Sequence, residues 1–282
     1  PEPYYSNYDS FLRKSDAKLV PIVTTLEKKY RLPEKKEIEK LITAKTKAIL
    51  FSNPCNPTGV VLTENELNIL KELALEHELY LISDEVYKQF IYEKSTKFIS
   101  IMNIKGIEDR AIMVDSISKH YSVCGARIGV VASRNRELMA QILKLCQARL
   151  SVSTIEQYAT TSLLGGIDLY MSEVRKEYKR RRDTLCYELS KIKGISLCKP
   201  DSAFYVLVKL PVKDVEEFAK WLLTDFRYEK QTIMFATGAG FYSIEHHDKG
   251  KQEARFSFCT YNPKDIIRGI EVLKKALEVY KG

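Results

Sequence analysis

Short β-branched or apolar runs alternate with helix-period segments through the first half of the chain. The strand candidates are Leu19–Thr25, Lys47–Ser52, Tyr80–Ser83, Ala111–Asp115 and Ile128–Ala132, and helical spacing falls near 35–42, 64–78 and 136–150. The middle helix opens with Thr63-Glu64-Asn65-Glu66, a capping box in which hydroxyl and carboxylate each satisfy a free backbone N–H. It then places Leu67, Leu70, Leu73 and Ala74 on one face. Strands joined through helices can run side by side, so the alternation predicts an α/β layer with a mostly parallel sheet. In such a sheet, functional groups gather where strands end and loops lead out. A long helix from Asp168 to about Ile192 follows, bounded by Gly165-Gly166 and Gly194. Beyond it, the runs Phe204–Leu210, Thr232–Ala236 and Arg255–Cys259 flank helices near 214–226 and 264–280. We therefore expect a large domain over 1–167, then the connecting helix and a smaller α+β domain over 168–282.

Composition excludes several classes. With 282 residues, 45% hydrophobic and 29% charged, and only 12 Gly and 9 Pro, the chain does not suit disorder, collagen-like repeats or low complexity. No apolar run approaches the roughly 20 residues that span a bilayer, so no membrane association is expected. No basic-then-apolar leader opens the chain, whose first residue is Pro1. The six cysteines (55, 124, 146, 186, 198, 259) form no CxxC pair, and the four histidines (77, 120, 246, 247) complete no zinc pattern with them. Scattered single thiols fit a reducing cytoplasm, with no metal. The net charge of +8 suits an enzyme of anionic substrates and phosphate-bearing cofactors. The densest basic run, Arg175–Arg182, lies in a helical pattern and contains Glu177, which reads as a solvated helix face and not a nucleic-acid stripe.

Three segments carry candidate chemistry. Asn53-Pro54-Cys55-Asn56-Pro57-Thr58-Gly59 follows a strand and must turn sharply, because its prolines cannot donate to a sheet ladder. Asp84 and Glu85 end a very apolar strand, where a carboxylate needs a cap or a cationic ligand. Lys119 follows Val114-Asp115-Ser116-Ile117-Ser118. Singly, these read as a turn, a capped carboxylate and an exposed lysine. Together, Asn56, Asp84, Lys119 and Arg127 are expected just past strands on one C-terminal sheet edge. A ligand with a phosphate, an aromatic cation and an aldehyde would engage all of them, and pyridoxal phosphate is such a ligand.

The strings NPCNPTG (53–59), SDEVY (83–87) and SISKHYSVCGARIG (116–129) resemble the signature motifs of class I/II aminotransferases of pyridoxal-phosphate fold type I. Pro3-Tyr4-Tyr5-Ser6-Asn7-Tyr8 and Ala254-Arg255-Phe256-Ser257 fit the same family in order and spacing. The resemblance implies a three-layer large domain and pyridoxal 5'-phosphate as cofactor. It implies that Lys119 forms the Schiff base and moves the proton between substrate and cofactor. Asp84 would pair with the pyridine nitrogen. Tyr87 and Asn56 would bond the phenolic oxygen, and Ser116, Ser118 and Arg127 the phosphate. Tyr5 would stack on the ring, Arg255 would take the substrate α-carboxylate, and Asn56 would also bind substrate.

The segments TIMFATGAGFYS (232–243) and KGKQEAR (249–255) resemble the aspartate-aminotransferase-like branch, which implies transfer between an amino acid, aspartate first, and 2-oxoglutarate. Arg149 and Gln147 are candidates for reading a second carboxylate. An aromatic aminotransferase, a carbon–sulfur lyase and a cofactor-sensing regulator domain are the alternatives. His120 is expected to be a packing or surface residue, Cys124 and Cys55 to pack, and His246-His247 to lie in a loop. Gly238-Ala239-Gly240-Phe241 reads as the turn before the carboxylate-binding strand. Against the family pattern, the chain starts close to the ring-stacking aromatic, which implies an N-terminal truncation, weak cofactor binding by this piece alone and some uncovered apolar surface. The resemblance also implies a homodimer at full length.

Overall fold

The computed structural model describes residues 1–163 and 165–282. Two helices, α1 (Asn7–Lys14) and α2 (Lys35–Glu39), precede a four-stranded sheet of β1 (Ala48–Ser52), β2 (Tyr80–Asp84), β3 (Ala111–Ser116) and β4 (Gly129–Ala132) in that spatial order. Strands β1, β2 and β3 are parallel. Helix α3 (Glu64–Glu76) makes the first crossover; its capping box forms as the sequence predicts, and Leu67, Leu70, Leu73 and Ala74 are buried. They pack with Ile49, Phe51 and Leu81 into one core.

Strand β4 breaks the parallel order and pairs antiparallel with β3, Ser116 standing opposite Gly129. Between them lie only α4 (Ile117–His120) and a 3-10 turn at Cys124–Ala126. At 1.5 Å per residue, a four-residue helix cannot carry the chain back along the sheet, so the next strand runs the other way. The reversal corrects one expectation: Arg127 precedes its strand instead of following it. Because β4 is antiparallel, its start still meets the end of β3.

Helices α5 (Arg136–Arg149) and α6 (Thr154–Thr161) lead into the 24-residue α7 (Ile167–Ser190). The second sheet holds β5 (Ser196–Leu197), β6 (Tyr205–Lys209), β7 (Ala236–Thr237) and β8 (Glu253–Ser257), ordered β5-β6-β8-β7 with antiparallel neighbours. Helices α8 (Val215–Thr224) and α9 (Pro263–Val279) pack on it, capped by the side chains of Asp214 and Asn262. Its core includes Leu189, Val206, Phe218 and Leu273, and it also takes in Tyr87, Phe90 and Tyr92 from the segment after β2.

Several expected elements shrink. Leu19–Thr25 is extended but forms only an isolated bridge, Val23 to Glu2, and Val20 and Val23 remain exposed. Pro21 removes a donor from this run. The helix expected over 35–42 is Lys35–Glu39, and the strand expected over Thr232–Ala236 is only Ala236–Thr237. Thr232 instead donates its hydroxyl to the Leu222 carbonyl at the end of α8. Helices α1 and α6 add to the expected elements; each carries one short stripe, Tyr8, Phe11 and Leu12 in α1 and Ile155, Tyr158 and Ala159 in α6. In α1, Asp9 in the first turn and Arg13 and Lys14 in the last complement the helix dipole.

The basic run 175–182 is only partly a solvated face. Lys176 and Arg180 pair with Glu173 and Glu177 at the surface. Arg182 is 1% exposed: it donates to Glu93 at 2.6 Å and to the Pro200 carbonyl at 3.1 Å, and lies 4.8 Å from the Tyr92 ring centroid. Lys179 and Arg182 hold the Glu93 carboxyl down at about 2. This cluster joins α7 to the segment after β2. Arg182→Ala should lower the unfolding free energy by about 3 kcal/mol in urea titrations, because it empties a buried site and strips several partners at once. Gly59, at φ +70, approaches another segment closely: a Cβ there would lie 2.3 Å from the Pro200 Cβ and 2.6 Å from the Ser202 carbonyl oxygen. Gly59→Ala should therefore cost more than about 1 kcal/mol in the same titration, the clash adding to the conformational penalty.

Candidate active site

The turn after β1 is held by its own backbone. Asn53 N–H donates to the Asp84 carbonyl at 2.9 Å, Cys55 N–H to Val60 at 2.9 Å and Gly59 N–H to Cys55 at 2.8 Å. The Asn53 side-chain oxygen accepts from Leu62 N–H at 2.9 Å. The turn thereby buries Asn56, whose Oδ1 accepts from Arg255 Nη1 at 2.9 Å. The Cys55 thiol packs against the Pro3 carbonyl at 3.8 Å, and burial pushes it above the usual thiol range.

Asp84 ends β2 on the same edge. Its Oδ1 accepts from Val86 N–H at 3.2 Å and its Oδ2 from the Tyr8 hydroxyl at 2.7 Å. Burial raises its pKa above the usual carboxylate range, and neighbouring Asp115 adds to the shift. Both donors are neutral, so the carboxylate has hydrogen bonds but no countercharge from either. Glu85 holds the fold instead: its Oε1 takes Ile101 N–H at 2.8 Å and the Ser100 hydroxyl at 3.0 Å, anchoring a 3-10 turn. Tyr87, two residues on, is buried with its ring edge-on to Phe204 at 5.2 Å.

Lys119 lies on α4, its Nζ 5.7 Å from the Phe204 ring centroid and 3.7 Å from Cys124 Sγ. Cys124 donates to the Ser118 carbonyl at 3.2 Å, which closes the loop after the lysine. Ser116 caps α4 by accepting from Ser118 N–H at 3.1 Å, and its Oγ is 2.8 Å from both Ser118 Oγ and the Ile128 carbonyl. Arg127 adopts a left-handed φ of 55°, donates to the Cys124 carbonyl at 2.8 Å and is exposed. Two hydroxyls and an exposed guanidinium thus sit where β3 ends and β4 begins.

Arg255 comes from the second sheet. Its guanidinium carbon is 4.1 Å from the Tyr205 ring centroid and 4.7 Å from that of Phe241, and its Nε is buried without a partner among the described residues. The glycine-rich turn before this strand is required by close approach: Gly238 N–H donates to the Glu253 carbonyl at 2.7 Å, and a Cβ at 238 would lie 2.6 Å from that oxygen. Tyr5 is half-buried, edge-on to Tyr8 at 5.6 Å, and its hydroxyl accepts from Asn7 at 2.9 Å.

The structure thus joins Asn56 to Arg255 directly, Lys119 to Tyr87 through Phe204, and Tyr5 to Asp84 through Tyr8. It does not bring in Arg149 or Gln147, both exposed in the last turn of α5. His120 is buried, 3.3 Å from Asp115, and burial lowers its pKa; Asp115 also pairs with Lys88 at 2.5 Å. His246 lies in a 3-10 stretch, Ile244–Gly250, where it contacts the buried Glu2. Tyr8, Phe204, Tyr205 and Phe241 were missed as site residues. Tyr8 and Phe241 stood inside recognised motifs, whereas Tyr205 read only as an alternating strand position. Glu39, Glu76 and His77 come together at the surface, on the opposite sheet edge, where Lys35 already pairs with Glu76.

The sequence profile of the Aminotransferase class I and II family matches residues 1–272. An aspartate aminotransferase of Bacillus subtilis is 30% identical over the whole chain, which covers 68% of that enzyme. An aromatic-amino-acid aminotransferase of Thermococcus litoralis is 29% identical, with 70% of its length covered. Among solved structures, the Thermus thermophilus aspartate aminotransferase with maleate superposes at a TM-score of 0.86 and 26% identity, over 98% of this chain and 68% of that one. The Pyrococcus horikoshii aromatic aminotransferase gives 0.85 and 30%, over 99% and 72%. With its motifs gathered on one sheet edge and this agreement along its length, the chain belongs to the class I and II aminotransferases, pyridoxal-phosphate-dependent transaminases of fold type I.

Proposed function

We propose that the chain transfers an amino group between an L-amino acid, aspartate first, and 2-oxoglutarate. The observation that carries the reading is Arg255: a half-buried guanidinium with one corner tied to Asn56 and a buried Nε left without a partner among the described residues, which suits a substrate carboxylate. When bound, pyridoxal phosphate supplies an aldehyde that captures amines and a cationic ring that draws electrons from the substrate α-carbon. Asp84 fits that ring, because its half-buried carboxylate has only neutral donors and is stabilised by a cation. Lys119 would hold the aldehyde and, with its amine free, would carry the proton from the substrate α-carbon. Ser116, Ser118 and Arg127 would hold the phosphate, Tyr87 and Asn56 the phenolic oxygen, and Tyr5 would cover a ring face. Arg255 fixes the α-carboxylate, which orients the bond to be broken.

Aspartate is put first because relatives named aspartate aminotransferase match the whole chain. Aromatic donors are the second reading, favoured by the wall of Tyr87, Phe204, Tyr205 and Phe241 and by relatives named for aromatic substrates. We further propose a division into 1–167 and 168–282, and a cytoplasmic homodimer. Supporting the dimer are exposed apolar residues on one stretch of chain: Leu145 at 72%, Leu150 at 74%, Ile155 at 80% and Tyr158 at 81%. The unpaired cysteines support the compartment.

Borohydride reduction after incubation with pyridoxal phosphate should add the cofactor's mass to the Lys119 peptide and to no peptide of Lys119→Ala. The loaded chain should convert L-aspartate and 2-oxoglutarate to oxaloacetate and glutamate faster than it uses L-phenylalanine. Labelling elsewhere, or no glutamate with any donor, would refute the assignment. Asp84 offers a pH test. Its folded pKa is raised from 3.8, so the stability tied to its proton is present at low pH and lost as pH rises through the raised value. The Tyr8 hydroxyl stabilises the ionised form. Tyr8→Phe should thus cost about 2 kcal/mol at pH 8 and less near pH 4, as read by urea unfolding.

A further inference from the structure

Arg255 does not stand free on its strand. Its guanidinium lies between the rings of Tyr205 and Phe241, 4.1 and 4.7 Å from their centroids. The two rings come from different elements: Tyr205 opens β6, and Phe241 closes the 3-10 turn after β7. Strand register explains the first contact. Tyr205 pairs with Ser257 and Leu207 with Arg255, so pleat alternation turns 205, 207, 255 and 257 to one face of the sheet. A long arginine stem reaching over that face meets the Tyr205 ring. The third restraint is the bond from Nη1 to Asn56 at 2.9 Å, made from the other sheet's turn.

Guanidinium recognition of a carboxylate requires the plane of the fork to contain both oxygens. A free arginine must lose rotamer freedom to achieve this; one packed against two rings and bonded to Asn56 has lost it in advance. Tyr205 also reaches further than its neighbours on β6. Val206, Leu207 and Val208 are buried, while Tyr205 is half-buried, with its hydroxyl 3.5 Å from the Tyr87 hydroxyl and its ring 4.8 Å from Phe204. It therefore touches the proposed carboxylate site, the proposed phenolic-oxygen site and the ring nearest Lys119.

We propose that Tyr205 is a positioning residue for substrate binding: its ring holds the Arg255 fork in the plane that meets the α-carboxylate. This rests on the reading of Arg255 given above. The electron-rich ring face attracts the guanidinium without competing for its N–H groups, so the donors stay available to the substrate. An acidic partner at this position would occupy the same donors. Phe241 shares the grip but belongs to a buried cluster, which makes Tyr205 the cleaner residue to change.

The test uses Tyr205→Leu, which removes the ring face, and Tyr205→Phe, which keeps it; Tyr205→Met serves as a second face-less variant should leucine unfold the chain. With the pyridoxal-phosphate-loaded chain, Tyr205→Leu should raise KM for amino acid and 2-oxo acid about tenfold while kcat changes less than twofold. Tyr205→Leu and Tyr205→Phe both remove the hydroxyl beside Tyr87, so the half-reaction of the matching amine that lacks the α-carboxylate should change equally in the two. Calorimetric titration of Tyr205→Leu with maleate should show the same tenfold weakening without any turnover. Tyr205→Phe should match the parent in KM and in maleate binding. The positioning role is overturned if Arg255→Ala raises KM but Tyr205→Leu does not, or if Tyr205→Phe raises KM as much as Tyr205→Leu. If Arg255→Ala itself leaves KM unchanged, the carboxylate reading fails and the role of Tyr205 falls with it.

Discussion

The site depends on one short stretch, Pro200–Tyr205, where the second sheet meets the turns of the first. Ser202 N–H donates to the Gly59 carbonyl at 2.9 Å, and its hydroxyl donates to the Tyr87 carbonyl at 3.3 Å. Tyr92 N–H donates to Asp201 at 3.2 Å, the Tyr92 hydroxyl bonds the Ala203 carbonyl, and Arg182 holds the Pro200 carbonyl. These are backbone groups that would otherwise be buried without partners, so separating the two sheets would leave several of them unsatisfied at once. Phe204 then fills the space between Tyr87, Phe90 and Tyr178. This docking lets an arginine on β8 and an asparagine after β1 share one hydrogen bond.

Several carboxylates inside the fold tie distant segments together. Glu66 completes a capping box and pairs with Arg31 at 3.2 Å. Glu253 accepts from Tyr242 at 2.7 Å and Tyr30 at 3.2 Å, which ties β8 to the segment before β1. Glu2, fully buried, meets His246 and Lys249. Each of these acids joins two parts of the fold. Asp84 likewise ties a distant segment through Tyr8, and like Glu253 it has only neutral donors and a pKa raised by burial; what sets it apart is its place at the end of β2, beside the turn that carries Asn56.

Much of the site could be read from the chain because its motifs are local. The capping box, the proline turn, the serine-lysine segment and the arginine strand each place their residues through contacts within a few positions; Asn56, Asp84 and Lys119 stand past strand ends, and Arg127 stands at the start of β4. The failures were non-local. Leu19–Thr25 had strand composition but lacked a partner beyond Glu2, and strand formation depends on a neighbour. Arg182 sat in a basic run that looked uniformly solvated; only the approach of Glu93, Tyr92 and Pro200 made its position interior.

By itself, then, the sequence determined the parallel strand–helix unit and which residues stand at its strand ends, because periodicity, capping and turn residues act over short stretches. The tertiary structure decided the direction of β4, the partnering of Tyr8 with Asp84, and the clasp of Tyr205, Phe241 and Asn56 around Arg255. Those contacts join residues up to 199 positions apart, and nothing local records which distant face will fold against which.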